Sequence, residues 1–164
     1  MPARSTYSVP QRVLHWLMAV LIFFNLLFPD GMNAWRRLVR HGQTPTPADI
    51  SSANIHAYAG IAILLLAIVR LGLRLVYDVP PRPDDQPAFL HHIASATHFL
   101  LYALIFAMPL SGVAAYYLGI DPAAFVHAGP IKILLWAVIV LHIFGAFAQH
   151  FFFKSDVLRR MTIG

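Results

Sequence analysis

The chain has 164 residues, 59% of them hydrophobic and only 12% charged, whereas a soluble domain carries about 25% charged residues, so the composition is that of one compact membrane protein. It contains no cysteine, which excludes disulfides, thiolate metal sites, cysteine-held iron–sulfur clusters and attachment of a cofactor through C-x-x-C-H. The formal charge of +5, with a pI near 10.0 and a mean hydropathy of +0.65, suits a basic rim facing anionic lipid and calls for no nucleic acid.

Four apolar stretches are long enough to cross a hydrocarbon core of about 30 Å, and they predict helices over about 11–28, 53–76, 92–118 and 130–153. The first run follows Arg4 and Arg12 but lacks a convincing small-residue cleavage pattern, so it reads as a span and not as a signal peptide. The first linker contains PDG and TPTP, the second reads YDVPPRPDDQP and the third GIDPAAFVHAGP; all three are rich in helix breakers. The expected fold is all-α, a single integral-membrane domain over 1–164 built as an up-and-down four-helix bundle.

Orientation follows from Lys and Arg. With the N terminus inside, cytoplasmic segments hold Arg4, Arg12, Arg70, Arg74, Arg82, Lys154, Arg159 and Arg160, and outer loops hold Arg36, Arg37, Arg40 and Lys132. This excess predicts that both termini are cytoplasmic.

Nine histidines are present, and those within apolar runs are functional candidates, because an ionisable ring in hydrocarbon is costly. His15 lies near the inner start of the first helix and His56 near the outer start of the second. His127 stands at the outer entry of the fourth helix and His142 lies 142 − 127 = 15 residues further, about 22 Å if helical throughout. An antiparallel bundle therefore offers His56 with His127 at one level and His15 with His142 at the other. Two imidazoles on opposite sides of a planar macrocycle make six-coordinate haem, suited to electron transfer. Zinc prefers four close ligands, commonly including thiolate or carboxylate, and the spans are nearly devoid of acids. Small residues follow one turn after the ligand candidates: Ala19 after His15, Gly60 after His56, and Gly145 and Ala146 after His142. They leave room for a porphyrin edge, although small residues also serve ordinary helix packing. Arg12, Arg70 and Arg74 are candidate partners for haem propionates, or snorkelling residues at the membrane edge.

QRVLHW, NIHAYAGIAILLLAIVRLGLRL, ATHFLLYALIFAMPLSG and LHIFGAFAQHFFFKSDVLRRM resemble, in order, the segments of the bacterial cytochrome b561 family, related to hydrogenase b-type cytochromes. The resemblance covers nearly the whole chain. It implies two non-covalent b haems, each bis-histidine ligated, with His15, His56, His127 and His142 as ligands. The separation of His127 and His142 is one residue longer than in that family, and a non-helical entry around Pro130 is the expected way to absorb it. The resemblance also implies a bacterial inner-membrane carrier that passes electrons between a periplasmic donor, superoxide among the candidates, and ubiquinone. Gln149, His150 and His98 are the candidates for the quinone end. Gln149 replaces a histidine there, so it can hydrogen-bond a quinone carbonyl but cannot relay a proton as imidazole does. His98 also has a simpler reading as an interhelical hydrogen-bonding group. Arg36, Arg37, Arg40, His41 and Lys132 form a positive outer surface able to attract an anion.

Two other functions are weighed against this one. A haem-bearing subunit docking with a separate dehydrogenase or hydrogenase would use the first outer loop, around PDGMNAWRRLVRH, as its contact. A metal-ion transporter or sensor would be colourless, and the shortage of intramembrane carboxylates counts against it.

Overall fold

The computed structural model describes residues 6–77, 79–81 and 87–163; Arg4 and Arg82 of the charge count lie outside them. The regular elements of the described residues are all helical, in the order α1 (Val9–Leu27), α2 (Asp30–Arg40), α3 (Pro47–Val76), α4 (Ala88–Tyr116), α5 (Asp121–Val126), a π turn (His127–Ile131), α6 (Lys132–Phe151) and α7 (Val157–Thr162). Four helical stretches, α1, α3, α4 and Asp121–Phe151, are long and apolar enough to span a membrane. Helices suit this solvent because they satisfy their own backbone polar groups.

Local signals set the helix starts. Ser8 and Gln11 form a capping box before α1, and Thr46 and Asp49 form another before α3, each with proline in the first turn. The second box starts α3 six residues before the expected 53. α4 begins at Ala88, a turn before the expected 92. Around the fourth expected span, α5 and the π turn carry helical structure back to Asp121, in place of a start at 130.

The larger difference is α2, which folds where the breakers in PDG suggested a loop. Asp30 sits in its first turn, favourably placed on the helix dipole. Its end is a Schellman motif: Gln43 N–H donates to the Leu38 carbonyl at 3.0 Å and Gly42 N–H to Val39 at 3.1 Å, with Gly42 at φ +68°. Gly31 brings the helix onto α3, since a Cβ there would lie 2.7 Å from the Ser52 carbonyl oxygen.

Consecutive spans are neighbours: α1 packs on α3, α3 on α4 and α4 on α6. Leu26, Leu104, Leu135, Val138 and Ile139 are buried together, with Ile22, Phe23 and Trp136 against them. Much of the remaining apolar surface faces outward, as lipid permits; Leu75 is 79% exposed and Phe144 68%.

One end of the bundle carries α2 and the π turn. At the other, α7 folds back beneath α1: Arg12 Nη1 donates to the Thr162 carbonyl at 3.2 Å and Trp16 Nε1 to Met161 at 3.0 Å. Arg160 donates to the Pro81 carbonyl at 2.6 Å and pairs with Asp156 at 2.8 Å. The Arg160 guanidinium beside Asp156 holds that carboxyl below the usual carboxylate range.

Gly31→Ala is expected to lift α2 from α3, because the added methyl meets backbone and not a flexible side-chain tip. Hydrogen exchange across 30–40 should quicken while exchange in α4 stays unchanged; equal protection in both proteins would mean that this contact does not seat α2.

Candidate cofactor-binding site

At the α2 end, the His56 ring on α3 and the His127 ring in the π turn stand 6.3 Å apart, centroid to centroid. At the α7 end, His15 on α1 and His142 on α6 stand 6.1 Å apart. The buried apolar cluster lies between the two levels in sequence along α1, α4 and α6.

His127 owes its position to α4. Its Nδ1 lies 2.8 Å from the Met108 carbonyl oxygen, which can only accept, so Nδ1 carries the proton and Nε2 keeps its lone pair. Ser111 Oγ donates to the same carbonyl at 2.9 Å and lies 3.1 Å from Nδ1. Gly112 completes the seat, since a Cβ there would come within 3.0 Å of His127 Cε1. Fixing one ring nitrogen on a carbonyl orients the other toward a metal. The π turn, kinked at Gly129 (φ −109°, ψ −105°) and followed by Pro130, inserts one residue ahead of α6. The 15 residues from His127 to His142 then advance as about 14 regular ones, about 40° short of a shared face.

His56 is held differently. Asn25 Nδ2 on α1 donates to its backbone carbonyl at 3.1 Å, while its own Nδ1 is buried without a hydrogen bond, a costly state for a ring that nothing else binds. His56 and His127 line a cavity of about 960 Å³ together with Gly60, Gly112, Arg36, Arg40 and Lys132. Arg37 is exposed on the same helix and does not line it.

The α7 end brings a third imidazole. The His98 ring on α4 lies 5.4 Å from that of His142, so His98 joins the His15–His142 pair, a grouping the sequence did not indicate. Arg70 Nη1 donates to the Gln11 carbonyl at 2.7 Å, and Arg74 lies over the Tyr102 ring at 5.8 Å. Arg12 reaches α7, as described. Gln149 Oε1 accepts from Ser155 Oγ at 2.9 Å in the turn after α6. His150 is exposed, edge-on to Phe151 at 4.8 Å. A Cβ at Gly145 would meet nothing within 4 Å.

Over residues 6–164 the sequence matches the family described as prokaryotic cytochrome b561. The chain belongs to that family. It is 31% identical to a cytochrome b562 of Cereibacter sphaeroides over 94% of each chain. It is 29% identical to a probable superoxide oxidase CybB of Yersinia pestis, again over 94% of each. A cytochrome b561 homolog 2 of Escherichia coli is 26% identical, over 94% of this chain and 90% of its own. Membership makes this a bacterial membrane b-type cytochrome that takes part in electron transfer and binds b-type haem.

The residues fit that group. With a metal–nitrogen bond of about 2.0–2.1 Å, as for imidazole on zinc, and a ring radius of about 1.1 Å, two imidazoles sharing one iron between them would stand about 6.3 Å apart. The two observed separations, 6.3 and 6.1 Å, agree with that spacing. Among the described residues no group of three or more His, Cys, Asp or Glu is placed to hold a bare metal ion.

Gly112→Ala is expected to displace His127 from its seat and to weaken retention of b-type haem about tenfold or more, in line with losses of orienting contacts at other metal ligands. Haem per chain by pyridine haemochrome after detergent washing checks it; full retention would show that the ring tolerates the shift.

Proposed function

We propose that this cytochrome holds two b haems, one between His56 and His127 and one between His15 and His142, and carries electrons across the bacterial inner membrane. The observation that carries this reading is the recurrence of a facing histidine pair, with rings 6.1 and 6.3 Å apart, at two levels of one bundle. Held by these imidazoles, haem would supply one-electron transfer and not oxygen chemistry.

The chain's own residues set the rest. The α2 end, with Arg36, Arg37, Arg40 and Lys132, is placed outside the membrane, and the α7 end with both termini is placed in the cytoplasm, in keeping with the excess of Lys and Arg there. The donor proposed at the α2 end is superoxide, as the name of the Yersinia pestis relative suggests. Each superoxide gives up one electron and leaves as dioxygen. Two such electrons and two cytoplasmic protons convert one ubiquinone to its quinol. Gln149, His150 and His98 are assigned to the quinone end. Gln149 offers hydrogen bonding there but no proton transfer, so the protons must come by way of imidazole or water. The basic patch raises the local concentration of the anionic donor.

Purified protein given superoxide and a soluble ubiquinone analogue should form quinol without any other protein, faster than superoxide and quinone alone, and the rate should fall as salt rises through the range that screens exposed charge. A rate indifferent to ionic strength would remove steering from the patch. An inert protein that turns over only when a dehydrogenase or hydrogenase is added would replace this reading with that of an electron-transfer subunit.

A further inference from the structure

We propose that Arg36 and Lys132, with Arg40 at the rim, bind the propionate carboxylates of the haem held by His56 and His127, so that α2 is part of the cofactor site. This rests on the two-haem reading above.

The first ground is placement. Arg36, Arg40 and Lys132 line the same cavity as the two imidazoles, and Arg37 does not. Arg36 and Arg40 are four residues apart, so they share one face of α2. That face is aimed by contacts on both sides of it. Gly31 seats the first turn on Ser52, and Trp35 meets Tyr116 of α4 edge-on at 4.6 Å. Tyr116 is in turn fixed by donating to Asn54 Oδ1 at 2.9 Å.

The second ground is charge. Arg36 and Lys132 are half-buried, and among the described residues none of the three cations has an ion pair. The acidic group lining the cavity is Asp121, which leaves an excess of two positive charges there. Half-buried cations without counter-charges call for an anionic ligand. A ligand with an apolar body and two carboxylates at one edge matches a cavity whose walls include Ile22, Leu26, Ile63 and Ile105 and which also carries these three cations. An arrangement that only collected small anions would have no need of cations grouped with apolar walls around an imidazole pair.

The test compares wild-type protein with the Arg36→Gln/Lys132→Gln double variant, each loaded with haem or with its propionate dimethyl ester. Release from the His56–His127 site to excess apomyoglobin is followed optically, and the second haem reports that the bundle is intact. With ordinary haem, release from the variant should be about tenfold faster or more, as for other lost hydrogen bonds between charged groups. Arg36→Lys should recover part of the difference, Arg37→Gln should release haem as wild type does, and the midpoint potential of this haem should fall in the double variant because positive charge favours the reduced state. With the diester, wild type and variant should release alike. Equal retention of ordinary haem in wild type and variant, or a difference that persists with the diester, overturns the proposal while leaving two haems in place. Should the double variant lose both haems, wild type alone decides: the diester must leave faster than haem. Wild-type protein with no haem at this site would overturn the two-haem reading itself, and the haem count shows that before any variant is compared.

Discussion

An imidazole ring in hydrocarbon has two polar nitrogens to satisfy, and the organisation of this bundle follows from where they go. His127 puts Nδ1 on the Met108 carbonyl, which commits the ring to one tautomer and one direction. That bond requires the ring to come close to α4, and Gly112 is what makes the approach possible. It also requires His127 to leave the regular path of α6, which the π turn and the Gly129 kink provide. Across the cavity, Nδ1 of His56 is buried without such a partner.

The two ends of the molecule use charge differently. At the α7 end, arginines are spent on the protein itself: Arg12 on Thr162, Arg70 on Gln11 and Arg160 on Pro81 and Asp156. The first two tie the start of α1 to α7 and α3, and the third ties α7 to the segment at Pro81. At the α2 end, the cations are without ion pairs among the described residues and several of them face a cavity. This asymmetry leaves cations available to an anionic ligand at the α2 end and uses them to hold the helices together at the α7 end.

The spans were legible because lipid demands long apolar runs, and the chain has four of them. The approach of His15 to His142 and of His56 to His127 followed from depth in an antiparallel bundle, with no knowledge of side-chain contacts. The extra residue before α6 was expected from the resemblance, with a non-helical entry around Pro130 to absorb it, and the kink at Gly129 is such an entry. α2 was hidden because PDG reads as a breaker, although Asp30 and Gly31 begin the helix and Gly42 closes it. The α3 start was written in TPAD, a capping box that hydropathy does not see. His98 was read as a quinone-end candidate or an interhelical hydrogen-bonding group, and its approach to within 5.4 Å of the His142 ring depends on how α4 is rotated against α6, which hydropathy does not reveal. The His127 seat was beyond reach, because its acceptor is a backbone carbonyl and its glycine has meaning only beside the ring that approaches it.

The measurement that tests the account most directly is an anomalous difference map at the iron edge from crystals of the purified protein. Two peaks per chain are predicted, one between the His56 and His127 rings and one between those of His15 and His142. A single peak, or an iron held by His98 in place of His15, would contradict the assignment of two bis-histidine sites.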